Sequence, residues 1–268
     1  MIKPAKQSDR DPSEFVTAVE RGLNVLGAFG GGPTRMTLTE VASATDLTRG
    51  TARRFLLTLH TLGYVESDGK YFWLTPKVLR FSSAYLASTG IAEAGRPAIR
   101  ALSEKLGESS SIAVLDGYDV VYVARVETRR IFSSGLDVGS RLPAYCSSLG
   151  RVLLAGLTDR QFEDWLSGAQ LEARTPRTVA DRKTLRAKIK DVRKQQYALI
   201  DGEIEIGIRS MAVPVRASSG RTIAALNVGT SAARVPLEQM KKTFLPELRR
   251  AADAIERSIQ SWALHQFG

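Results

Sequence analysis

Residues 48–62, TRGTARRFLLTLHTL, constrain the fold more than any other stretch of this 268-residue chain. Ala52, Phe55, Leu56, Leu59 and Leu62 recur at three- and four-residue steps, the spacing that lines side chains up on one face of an α-helix. Arg49, Arg53 and Thr61 fall off that stripe, so one face is built to pack and the other is basic. Thr48 can cap the helix by accepting from the N–H groups of its first turn, which places Arg49, Gly50, Thr51, Arg53 and Arg54 at its exposed start. A basic amphipathic helix can be no more than a solvated surface, so its neighbours must decide.

Residues 15–29 read as a first helix with Val16, Val19, Leu23 and Leu26 on one face, stopped by Gly30-Gly31-Gly32-Pro33. Thr37-Leu38-Thr39-Glu40 fits a capping box and opens a short helix that ends near Thr45-Asp46. Gly63 ends the basic helix, and alternating stretches at 64–67 and 70–74 flank Asp68-Gly69, a signal for a type I′ hairpin. Three helices followed by a hairpin predict a winged helix-turn-helix domain over 14–75, with the basic helix entering the major groove. The candidate DNA contacts are Thr37, Thr48, Arg49, Gly50, Thr51, Arg53 and Arg54, with Lys70 on the wing against phosphates.

In order and nearly without gaps, AVERGLNVL at 18–26, LTEVA at 38–42, the RRFLLTL helix and LGYV at 62–65 resemble the N-terminal domain of the IclR family of bacterial transcriptional regulators. Residues 1–13 read as a disordered polar arm. Residues 76–95 read as a linker helix, starting at Pro76 and carrying Val78, Leu79, Tyr85 and Leu86. The resemblance implies that N-terminal domains pair across this linker; spacing alone also allows an internal core helix.

Residues 96–268 predict an α+β layer of strand hairpins covered by helices. A helix is expected from Pro97 to Gly107, a hairpin around 116–119, a strand over 131–136, an apolar helix after Ser147, helices near 159–166 and 182–196, a strand pair around 218–220, and closing helices kinked near Pro246. This order resembles the GAF-like effector domain of IclR regulators. Carried over from that resemblance, the effector-binding positions are Tyr145, Cys146, Ser147, Ser148 and Gly150 at a loop and helix start, Ser210, and Asn227 with Gly229 on a late strand. A helix N-terminus suits an anion. The combination of RRFLLTL with SSLGRVLLA looks most like the branch controlling aromatic-acid catabolism, which implies protocatechuate, 4-hydroxybenzoate or β-ketoadipate as effector. A non-aromatic carboxylate, glyoxylate- or pyruvate-like, is the alternative, and Gly229 departs from the serine that family members often carry there.

The formal charge of +10 favours a polyanionic partner, but residues 1–90 hold only 11 Lys and Arg against 8 Asp and Glu, so the local pattern carries the DNA argument. The resemblance implies double-stranded DNA with a near-palindromic operator, a small organic acid, and a homodimer or homotetramer. One cysteine permits no internal disulfide, and no run of about 18 apolar residues or signal-like start occurs, so a cytoplasmic location is expected without membrane contact. No cofactor or metal is expected: His60 and His265 lack ligands at metal spacing, and Cys146 lacks a nearby base. Alternating Asp201, Glu203 and Glu205 leave a remote alternative, an acidic cluster for hydrolysis or a cation, against the plainer reading of a solvent-facing strand.

Overall fold

The computed structural model describes residues 14–30, 33–128 and 135–267, with side chains through residue 261. The expected arm at 1–13, the middle of the glycine stop and most of the strand expected at 131–136 lie outside the described residues. The chain forms two compact units, one ending at Tyr85 and the other starting at Leu86.

In the first unit α1 (Thr17–Ala28), α2 (Leu38–Ala44) and α3 (Arg49–Thr61) close over a three-stranded sheet of order β1-β3-β2, with β1 at Met36–Thr37, β2 at Val65–Ser67 and β3 at Tyr71–Leu74. Its core is Val25, Phe29, Met36, Val41, Leu56, Leu59, Val65 and Phe72. The Thr37–Glu40 capping box forms: the Thr37 hydroxyl accepts from the Glu40 N–H, and the Glu40 carboxylate accepts from the Thr37 N–H at 2.6 Å. Two expectations need correction. Of the stripe expected on α1, Val16, Val19 and Leu23 stand 58–60% exposed, and only Leu26 packs, partly buried beside Val25 and Phe29. The hairpin is not a two-residue type I′ turn, because Ser67 pairs with Phe72 and only Gly69 has positive φ (+93°). Asp68 closes this four-residue loop with its own carboxylate, accepting from the Lys70 and Tyr71 N–H groups at 3.0 and 2.8 Å.

After a 3₁₀ turn at Pro76–Val78 comes α4 (Leu79–Thr89), which buries no residue in this chain. Gly90, at φ +61°, breaks it, and α5 (Ile91–Leu106) follows. The helix expected from Pro97 thus starts six residues earlier, and the linker ends at Gly90 rather than 95. Pro97 is tolerated inside α5 because it faces solvent, where water can take the carbonyl its missing N–H leaves free.

The second unit is built on a six-stranded antiparallel sheet of order β6-β5-β4-β9-β8-β7. The strands are β4 (Ser109–Asp116), β5 (Asp119–Val126), β6 (Arg141–Pro143), β7 (Ala198–Asp201), β8 (Ile208–Arg216) and β9 (Thr222–Ser231). Alternation sends Met211, Val213, Leu226 and Val228 to one face, where α5 and α10 (Leu245–Phe267) cover them. Ala113, Ala212 and Ala225 go to the other, under α6 (Ser148–Ala155), α7 (Asp159–Gly168) and α8 (Arg182–Gln195). Between β9 and α10 lie the short α9 (Leu237–Gln239) and a π turn at Met240–Phe244. The irregularity expected at Pro246 is this π turn just upstream; helical backbone runs from Leu237 through Leu245 into α10, so Pro246 lies within a continuous helical path and its missing N–H leaves one bond of that path unmade beside the π turn. β6 was not expected; too short to show alternation, it is held by Arg141 bridging Asp116 and Asp119 at 2.8 and 3.1 Å.

Candidate functional site

The first candidate surface is the start of α3. Thr48 caps it, its hydroxyl accepting from the Thr51 N–H at 3.3 Å and lying 2.9 Å from the Thr51 hydroxyl. Ala52, Leu56 and Leu59 are buried and Phe55 packs beside them, while Leu62, expected on the same stripe, is half exposed. Arg49, Gly50, Arg53 and Arg54 are exposed, and among the described residues no carboxylate lies within ion-pair distance of these arginines. A Cβ on Gly50 would touch nothing within 4 Å, so the first turn is bare and a duplex can approach its backbone. The positive end of the helix dipole and three uncompensated guanidinium groups therefore point to solvent together, as a phosphate- and guanine-binding surface requires.

Thr37 is occupied as a cap, leaving it little to offer DNA. Lys70 sits on the wing, its Nζ 5.0 Å from the Tyr71 ring centroid. The sequence reading missed Arg35, which lies 4.3 Å over the Trp73 ring and 3.7 Å from Asp68. Its signal, an arginine preceding β1, was visible only once β1 was known to pair with β3 and so join the wing.

The second candidate lies on the α6 side of the large sheet. Cross-strand register gathers Ser210 opposite Gly229, Asn227 opposite Ser111, and Ser111 opposite Arg125. Alternation relative to Met211, Leu226 and Ile112 puts these side chains on the face that α6 covers. Arg125 donates from Nη1 to the Ser111 hydroxyl at 3.2 Å and lies 3.5 Å from the exposed Glu127, but its buried Nε has no partner. Asn227 Oδ1 and the Ser148 hydroxyl are likewise buried without partners. A Cβ on Gly229 would meet nothing within 4 Å, so the sheet faces open space there. A separate cavity of about 460 Å³, bordered by Arg125 and Thr128 and by Arg100 and Ser103 of α5, opens towards the helix on the opposite face and is not the space beside Gly229.

The other expected positions have structural work. Ser147 caps α6 by accepting from the Gly150 N–H at 3.0 Å. Gly150 permits the close approach of α6 to the 3₁₀ turn Ala144–Cys146: a Cβ there would lie 2.1 Å from the Ala144 carbonyl oxygen. The Tyr145 hydroxyl donates to the Glu172 carbonyl at 2.7 Å and accepts from the Glu172 N–H, and burial raises its pKa. Cys146 is fully buried, and burial pushes its thiol up to about 11, so it stays protonated and inert. Ser148, Ser210, Asn227 and Gly229 are thus the expected residues with free polar atoms or free space. Arg125 is the one the sequence reading missed, because an arginine late in a strand looks like any edge charge until its register is known.

The acidic cluster does not form. β7 ends at Asp201, which pairs with Arg209 at 2.7 Å and Arg177 at 3.1 Å, while Glu203 turns inward to Arg151. Their expected common strand face requires a strand that continues past 201, and the chain turns at Gly202 (φ +73°) instead. Among the described residues no group of three His, Cys, Asp or Glu is placed to hold a metal, and no helix is long and apolar enough to cross a membrane.

Two family models match the chain: the IclR helix-turn-helix domain over residues 18–69 and the bacterial transcriptional regulator IclR C-terminal domain over 83–257. The chain is 42% identical to the Pca regulon regulatory protein of Pseudomonas putida over 255 residues, covering 94% of this chain and 88% of the relative. It is 36% identical to the p-hydroxybenzoate hydroxylase transcriptional activator of Acinetobacter baylyi, covering 97% of each. The crystal structure of an IclR homologue from Microbacterium hydrocarbonoxydans complexed with 4-hydroxybenzoate superposes with a TM-score of 0.79 at 25% identity, over 91% of this chain and 99% of that one.

Proposed function

The chain belongs to the IclR family of bacterial transcriptional regulators, and on that premise we propose that it controls aromatic-acid catabolism by coupling operator binding to occupancy of its C-terminal unit by a small aromatic carboxylate. It is a DNA-binding regulator rather than an enzyme. The observation that carries the effector reading is three buried groups without partners on the α6 side of the sheet, Arg125 Nε, Asn227 Oδ1 and Ser148 Oγ, with open space at Gly229 two residues along β9 from Asn227. Leaving a buried polar group unsatisfied costs about 1–3 kcal/mol, so such groups are kept where a ligand completes them. Arg125 supplies a cation and a free N–H for a carboxylate; Asn227 and Ser148 supply an acceptor and a hydroxyl for a ring hydroxyl. The relatives named for Pca and p-hydroxybenzoate hydroxylase regulation, and the neighbour holding 4-hydroxybenzoate, agree with that chemistry.

On the DNA side, Arg49, Arg53 and Arg54 read base edges or phosphates from α3, and Lys70 and Arg35 hold the backbone from the wing. The operator is a near-palindrome because the regulator is a homo-oligomer. Val16, Val19 and Leu23 on α1 and Leu79 and Phe81 around α4 are large, apolar and about 60% exposed, a surface suited to a second copy of the chain. Val19→Asp should reduce the sedimentation coefficient and abolish tight operator binding together; an unchanged coefficient removes α1 from the interface.

The deciding experiment selects double-stranded DNA from a random pool, then titrates the winner by anisotropy across a salt series with and without 4-hydroxybenzoate or protocatechuate. A near-palindromic winner bound at roughly nanomolar strength, shifted by either acid, supports the whole reading. A winner whose affinity neither acid moves overturns the aromatic effector.

A further inference from the structure

Arg151 and Glu203 are among the few charged side chains fully withdrawn from solvent, and neither belongs to the set of orphaned groups just described. The Arg151 Nη2 donates to Glu203 Oε2 at 2.6 Å, with 4% and 9% of the two side chains exposed. Arg151 Nε donates in a second direction, to the Tyr145 carbonyl at 3.0 Å. Glu203 Oε2 accepts in turn from the Val179 N–H at 3.1 Å, and the Thr178 hydroxyl donates to the Glu203 carbonyl at 2.6 Å. One guanidinium thus ties the turn that precedes α6 to the loop between β7 and β8, a few residues before Ser210.

A buried ion pair is a poor source of stability, because desolvation offsets its attraction. Its retention here needs another reason, and the geometry supplies one. Gly150 seats α6 against Ala144–Cys146 without room for a methyl group, so the turn fits in one position only. The Arg151–Tyr145 bond fixes that position from within, and Ser148 begins its helix two residues after Cys146. We infer that Arg151, held by Glu203, is a positioning residue for effector recognition: it sets the 145–148 turn against the Ser210–Asn227–Gly229 face. Lysine cannot replace it, because one ammonium on a flexible stem lacks the rigid fork that serves the Tyr145 carbonyl and Glu203 at once.

This inference rests on the proposed effector site, so its test carries a readout that needs no effector. Arg151→Met with Glu203→Gln leaves no charge buried alone and keeps an acceptor for the Val179 N–H. In full-length protein, hydrogen exchange in the peptide covering 143–150 should accelerate about tenfold or more in this double variant, with β8 and β9 unchanged and operator affinity retained. Affinity for 4-hydroxybenzoate should fall about tenfold, the size expected from one lost hydrogen bond's worth of order. Arg151→Lys should recover thermal stability without recovering affinity. Exchange at 143–150 identical to wild type overturns the positioning role whatever the ligand does. Faster exchange in the double variant, with no wild-type binding of any aromatic acid, upholds the role of Arg151 in setting the turn and rejects only the effector assignment.

Discussion

Ser111 and Asn227 face each other across the β4–β9 ladder, and only the serine has a partner: Arg125 reaches it at 3.2 Å, while Asn227 Oδ1 is buried with none. The arginine is committed on one nitrogen and free on another, which is the state of a residue waiting for a second acceptor. Arg125→Met should therefore weaken binding of an aromatic acid by roughly ten- to hundredfold, the equivalent of about 1.5–3 kcal/mol for a charged hydrogen bond. Glu127, its other neighbour, is 46% exposed and survives the loss of a partner. Isothermal titration reads the affinity. Unchanged affinity in Arg125→Met would remove the carboxylate anchor from the site.

Two glycines of the expected site should behave oppositely. At Gly229 an added Cβ meets nothing within 4 Å, so Gly229→Ala should leave the melting free energy within about 0.5 kcal/mol of wild type while narrowing the space for an effector. At Gly150 the same methyl lands 2.1 Å from a backbone carbonyl oxygen and 2.3 Å from the Ala144 Cα, and neither atom is on a flexible side chain. Gly150→Ala should cost about 2 kcal/mol or more despite the better helix propensity of alanine. Calorimetry on both variants checks the contrast; equal stabilities would show that Gly150 is not the close-approach position.

What the sequence revealed follows the range of each interaction. The caps at Thr37, Thr48 and Ser147 are local, three residues from donor to acceptor, and all three form. The period of α3 and the order of strands and helices were legible for the same reason. The exposure of Val19 and Leu23 was not, since a helix has two apolar faces here and only packing tells which is covered. Nor was the loop at 68–71, where the carboxylate of Asp68 outcompeted the turn that an Asp-Gly pair suggests. At the effector face the sequence marks Asn227 and Gly229 only through family resemblance. Arg125 lies some hundred residues away in sequence and reaches them only through the register of β5, β4 and β9.

Stability should have both an acid and an alkaline limb. Glu40 and Asp68 are held below their ordinary values of 4.5 and 3.8, chiefly by backbone N–H groups of Thr37 and Tyr71, and Glu163 is lowered by its bond to Arg186. A carboxylate lowered in the folded state stabilises above its unfolded pKa and loses that contribution as pH falls through the folded one, so the urea midpoint should hold from neutrality to about pH 5 and decline below. Cys146, raised to about 11 from 9.0, and Tyr122, raised to about 12 from 10.0 by burial, act with the reverse sign. Their contribution is whole below the unfolded values and is lost as pH climbs from 9 towards 12. Cys146→Ala should delay the onset of the alkaline limb; an identical limb would mean that the thiol is not what burial protects.

Discrimination between base readout and phosphate binding should separate Arg53 from Lys70. Arg53 is exposed in the second turn of α3, without a carboxylate partner among the described residues, where a guanidinium fork can meet the two acceptors of a guanine edge. Arg53→Ala should cost roughly 1–3 kcal/mol on the selected operator and much less on a duplex altered at one base pair, relaxing preference at that position alone. Lys70 projects from the wing over Tyr71 as a single charge with no fork. Lys70→Ala should weaken all sequences alike and reduce the slope of log K against log salt by about 0.9 for each phosphate that is no longer neutralised. Anisotropy titrations of both variants on the selected operator and its single-position variants, each at several salt concentrations, yield the two signatures separately. If Arg53→Ala weakened every duplex equally and lowered the salt slope, α3 would be gripping the backbone there, and base readout would have to come from Arg49 or Arg54.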